Sequence, residues 1–137
     1  MPVFTKLYYL LTFLIVSNLI IPQNNESPFK KLYDNHGLIV SFIFYSEGDG
    51  DANNGVVIYL ENKNDHKISF QFTLIFRAGA NDRVRTIDGT MIPQEKRTGS
   101  NDELYFIPFK DGRSLSAVGI KSCKVRRIKK AGTQARL

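Results

Sequence analysis

From Lys67 to Arg77 apolar and polar side chains alternate. Ile68, Phe70, Phe72, Leu74 and Phe76 are apolar, Lys67, Ser69, Gln71, Thr73 and Arg77 are polar between them, and only Ile75 breaks the pattern. Successive side chains of a strand project to opposite faces. This period therefore sets five apolar residues against a core and leaves the others in water. A helix would scatter the same phenylalanines around its circumference.

Other segments carry the same signature in shorter form. Gly37 to Tyr45 (GLIVSFIFY) and Gly55 to Glu61 (GVVIYLE) are rich in β-branched and aromatic residues. Arg83 to Ile87 predicts a fourth strand, and Met91 with Ile92, just before Pro93, a short edge piece. Leu104 to Phe109 (LYFIPF) predicts another, with Pro108 at its edge or end. In Ser116 to Ile128, Val118 and Ile120 alternate in one phase and Cys123 and Val125 in the other. A bulge near Lys121 or Ser122 reconciles the two phases. Clusters of Gly, Asn, Asp and Pro separate these runs. About seven short strands at this spacing predict an all-β fold, an immunoglobulin-like antiparallel β-sandwich in architecture. The cysteine pair and buried tryptophan of antibody domains are absent.

The first residues follow a different rule. Leu7 to Ile21 (LYYLLTFLIVSNLII) carries no charge, Lys6 precedes it, and Pro22 and the polar run Gln23 to Ser27 follow it. As a helix this run rises about 22 Å, short of the roughly 30 Å of a bilayer core. It suits the apolar region of a signal peptide. A retained membrane anchor is the alternative, with the domain outside, because Lys6 favours the cytoplasmic side. There is no Ala-x-Ala cleavage site and no cysteine near position 20 to accept a lipid. The expected organisation is an N-terminal apolar helix in residues 1–25, one β-sandwich domain in residues 30–130 and a basic tail in residues 131–137.

Composition narrows the picture. In 137 residues, 42% are hydrophobic and 23% charged, which is enough for one core and unlike an unfolded chain. With 10 Phe, 6 Tyr and no Trp, the core is built on phenyl rings. The lone cysteine, Cys123, excludes an intrachain disulfide and a four-cysteine metal site; it reads as a small buried apolar residue. The formal net charge of +6 favours anionic neighbours.

Motifs for chemistry are sparse. There is no Gly-x-Ser-x-Gly elbow and no phosphate-cradling glycine loop. His36 and His66, the only histidines, each lie among turn-forming residues, so no enzyme is expected. In the acidic loop from Glu47 to Gly55, Asp49, Asp51 and Asn53 place oxygens at alternate positions, as the start of a calcium loop does. The match then fails, because Asn54 stands where glycine belongs and Leu60 where the bidentate glutamate belongs. The simpler reading is an exposed connector with its turn at Asn54–Gly55, and no cofactor other than a possible calcium ion is expected. Lys121, Lys124, Arg126, Arg127, Lys129, Lys130 and Arg136 form a basic C-terminal surface without an acidic residue among them. It suits an anionic surface or an acidic partner protein; nucleic acid is not expected, since the phenylalanines alternate inward rather than stacking outside. Tyr45, Tyr59 and Tyr105 are expected on outward faces, where sugar stacking or a protein interface would use them.

These readings point to an exported binding or structural module of the cell envelope or extracellular space, acting through protein–protein contacts. Two alternatives remain at this point. One is a calcium or carbohydrate module centred on residues 47–55. The other is a small subunit of a membrane complex, held by the N-terminal helix.

Overall fold

The computed structural model describes residues 26–131. The expected N-terminal helix, with its signal or anchor role, and residues 132–137 of the tail lie outside the described residues. Within them the chain is all-β, with two antiparallel sheets.

The first sheet is built by β1 (Lys30–Asn35), β2 (Leu38–Tyr45) and β3 (Gly55–Asn62), with β6 (Lys96–Thr98) and β7 (Tyr105–Phe106) both on the free side of β3. The second holds β5 (Asn81–Met91), β4 (Ile68–Ala78) and β8 (Ala117–Arg127), in that order. Turn chemistry sets two hairpins. Asn35 pairs with Leu38 across His36 and Gly37, whose φ values of 52° and 73° suit the twist of a two-residue hairpin. Ala78 pairs with Asn81 across Gly79 and Ala80, with Gly79 at φ 59°.

The core lies between the sheets. Leu38, Val40, Val56, Ile58 and Leu60 come from the first sheet and Ile68, Phe70, Phe72, Leu74 and Phe76 from the second; Phe72 is 0% exposed. The alternation of β4 is realised in full, and Ile75 faces outward opposite Val84. Met91, Leu104, Phe109 and Leu115 close the ends.

Several expectations are corrected. β1 carries no apolar alternation and escaped the sequence pattern. The strand expected at Arg83–Ile87 runs on through Met91 as one strand, the eleven-residue β5, and Ile92 lies just beyond its end. Its period is hidden because the core-side positions hold arginines. Arg83 lies over the Phe109 ring at 5.1 Å and Arg85 over Phe106 at 5.7 Å. Only Tyr105 and Phe106 of the 104–109 segment pair in a ladder. The bulge in β8 is real: Phe72 faces Cys123 and Thr73 faces Lys121, which leaves Ser122 unpaired at φ 48°.

Candidate functional site

The loop joining β2 and β3 is organised by an amide rather than by its acidic residues. Asn54 accepts from the Glu47 N–H at 2.7 Å and donates to the Glu47 carbonyl at 2.9 Å, and its side chain is buried. The Asn53 N–H donates to the Ser46 hydroxyl at 2.9 Å, and the Asn53 carbonyl accepts from Leu115 at 3.0 Å. Asp49 and Asp51 are exposed on the rim. Among the described residues no group of three or more His, Cys, Asp and Glu side chains could hold a metal ion. Asn54 is therefore a buried brace and not the exposed turn residue that the sequence suggested.

The tyrosines share the outer face of the first sheet. Tyr45 lies opposite Gly55, Tyr105 opposite Val57, and Tyr59 opposite Ser41. Tyr45 meets Tyr105 edge-on with ring centroids 5.7 Å apart, and the Tyr105 hydroxyl donates to the Glu47 carboxylate. Burial, then that bond to Glu47, pushes the Tyr105 phenol up to about 12. Tyr59 is separate from this pair and packs against Phe29 at 5.4 Å.

Cys123 and His36 share no direct hydrogen bond, although both approach the Tyr33 hydroxyl, and His66 bonds Asp65 instead. Cys123 is partly buried on the core side of β8, opposite Phe72 and beside Tyr33. It falls short of the full burial expected because β8 is an edge strand. Burial pushes its thiol up, away from the thiolate that nucleophilic chemistry needs. His36 lies in the β1–β2 turn, 3.4 Å from the Tyr33 hydroxyl, and His66 lies 3.0 Å from Asp65 after β3.

The basic residues divide between two surfaces. Lys124 and Arg126 lie opposite Gln71 and Ser69, and Lys121 opposite Thr73, so all three point outward from the second sheet. Arg127, Lys129 and Lys130 turn to the end of the sandwich. With Lys67 they border a cleft of about 820 Å³ whose apolar surface is Ile92, Pro93 and Ile128. Among the described residues Asp65 is the only carboxylate lining this cleft, and its bond to His66 holds its carboxyl below the usual range.

Sequence reasoning missed the group that shapes this end. Asn62 is 0% exposed. Its amide nitrogen donates to the carbonyls of Ile92 at 2.9 Å, His66 at 3.1 Å and Met91 at 3.4 Å. Its oxygen accepts from the N–H and the side-chain amide of Asn64. In sequence Asn62 is one turn former among several in NKNDH, and only its closing of strand β3 on the core side hints at burial.

The last feature is the outer edge of β5. The strand pairs with β4 on one side and, among the described residues, with no strand on the other. Most of its residues are exposed, and Val84 is 63% exposed. Two clefts adjoin it, of about 270 and 570 Å³, and share Arg85, Glu103 and Phe106.

Comparison with known proteins returns nothing: no family model, no curated protein and no solved structure matches the chain.

Proposed function

We propose that the chain is an exported, non-catalytic binding module of the cell envelope or extracellular space, working by protein–protein contact through the edge of β5. The observation that carries this reading is that free edge. Among the described residues no strand pairs with the outer edge of this eleven-residue strand, and apart from the Thr90 carbonyl, which accepts from Arg97, it offers its backbone groups as a template for adding a partner's strand. Arg83, Arg85 and Asp88 put charges along it. Such charges suppress indiscriminate edge pairing and leave the edge to partners that satisfy them. Export rests on the apolar run at residues 7–21. We further propose an immunoglobulin-like sandwich, supported by the connections β3–β4, β5–β6 and β7–β8, each of which passes from one sheet to the other.

Photo-crosslinking in the native cell tests the reading. With a crosslinker at Val84, one discrete adduct is expected, and none with the crosslinker at Asp51, on the exposed loop before β3. Equal labelling from both positions, or no adduct at Val84, would overturn it.

A further inference from the structure

We infer that the end of the sandwich bearing Ile92 docks on anionic lipid surfaces, a site separate from the β5 edge. The argument begins with an exposed isoleucine that is held rigidly. Ile92 is 58% exposed at the tip of the turn from β5 to β6. Its carbonyl accepts from buried Asn62 at 2.9 Å and its N–H donates to the Glu95 carboxylate at 2.8 Å. The next residues are braced as firmly: the Gln94 amide donates to the Lys63 and Asn64 carbonyls at 2.9 and 3.1 Å, and the Asn62 N–H to the Glu95 carbonyl at 2.9 Å. A side chain that folding left outside by chance has no need of so many bonds behind it. Pro93 and the partly buried Ile128 extend the apolar surface, and the Ile128 N–H is fixed on the Lys67 carbonyl at 2.9 Å.

Charge decides the partner. Lys67, Arg127, Lys129 and Lys130 border this tip. Lys121, Lys124 and Arg126 continue the positive field along the outer face of β8. None of the seven forms an ion pair within 4.0 Å among the described residues. The acidic groups near them are Asp65, engaged by His66, Glu95, behind Ile92 and paired with Arg97, and Asp88, in the shallow cleft with Lys124 and Arg126. An apolar tip ringed by cations matches the boundary of an anionic bilayer, where the tip enters the acyl region and the cations meet the headgroups. A soluble linear polyanion would use the charges and leave Ile92 idle.

The chain contains no tryptophan, so one placed at Ile92 reports on that site alone. The Ile92→Trp chain is titrated with vesicles of phosphatidylcholine containing phosphatidylserine, and with vesicles of phosphatidylcholine alone. A blue shift of emission, quenched by lipid-borne quenchers, is expected only with the anionic vesicles and should fade as salt rises. A Val84→Trp chain, reporting on β5, should not shift; neutral vesicles account for any contribution from residues 7–21. Each cation near an anionic surface is worth about fivefold in affinity. Adding Arg127→Glu, Lys129→Glu and Lys130→Glu should therefore weaken the response at least about a hundredfold, with the far-UV circular dichroism unchanged. No shift at position 92, an equal shift with neutral vesicles, or a response to soluble polyglutamate but not to vesicles would each overturn the inference. Because the β5 edge is read separately at Val84, failure here leaves the protein-binding reading standing.

Discussion

At the scale of single residues, two buried amides, Asn54 and Asn62, brace the loops at either end of β3. Asn62 satisfies three carbonyls and two N–H groups where three connections meet. Asn62→Ala would strand those groups in a site closed to water, at a cost of about 2–3 kcal/mol. Urea denaturation checks this, and hydrogen exchange of the 92–95 turn should quicken in parallel. A loss below about 0.5 kcal/mol would mean that water replaces the amide. Tyr105 makes a pH prediction. Its phenol is raised from 10.0 to about 12 in the folded chain. A raised pKa contributes stability that is whole below the unfolded value and is lost as pH rises through the folded one. Stability should therefore decline between about pH 10 and 12. In Tyr105→Phe the part of that decline owed to this phenol should disappear, and tyrosinate absorbance should lose its latest step. Tyr33 and Tyr59 are also raised, each mainly by burial, so the comparison with Tyr105→Phe makes the assignment.

At the scale of elements, β8 shows how one residue sets which face a strand presents. The bulge at Ser122 lets Val118 and Ile120 share the core side with Cys123 and Val125 despite their opposite phases. It also sends Lys121, Lys124 and Arg126 to the same outer face. Ser122 occupies left-handed backbone at φ 48°, which disfavours any residue with a Cβ. Ser122→Gly should stabilise the fold by up to about 1 kcal/mol, the relief of that penalty less the entropy of glycine. Deleting Ser122 removes the bulge: Lys121 and Cys123 then stand in consecutive positions opposite Thr73 and Phe72, and both halves of β8 keep their faces. Thermal denaturation checks the glycine variant, and destabilisation by the glycine would show that the serine contributes something its backbone does not.

At the scale of the molecule, the chain solves the sandwich problem without disulfides or tryptophan. Phenyl rings do the filling: Phe70 stacks near Phe72 at 5.8 Å, and Phe76 meets Phe106 at 5.6 Å across the two sheets. Loops close the ends through buried asparagines, Asn54 at one and Asn62 at the other. This leaves two kinds of free surface. One is the ladder of β5, which offers backbone hydrogen bonds to a protein strand. The other is the cationic end around Ile92, which offers charge and apolar area to lipid. They differ in chemistry, so the two proposals stand or fall by different measurements.

The sequence by itself determined the class of fold. The period of β4, the β-branched runs of β2 and β3 and the phase change in β8 were all legible, because a half-buried strand records its environment in every second residue. It also determined that no intrachain disulfide forms and that positive charge gathers near the C-terminus. Only the tertiary structure decided the rest. β5 was half hidden because Arg83 and Arg85 lie over aromatic rings on its core side, so its apolar period is missing although its strand is long. β1 and β6 are edge strands with little to bury, and the alternation signal depends on burial. The roles of Asn54 and Asn62 depend on which carbonyls the folded chain brings within 3 Å or so. The site at Ile92 was illegible for the same reason: its isoleucine and its cations lie some 35 residues apart in sequence, and only the crossing of strands between the two sheets makes them neighbours.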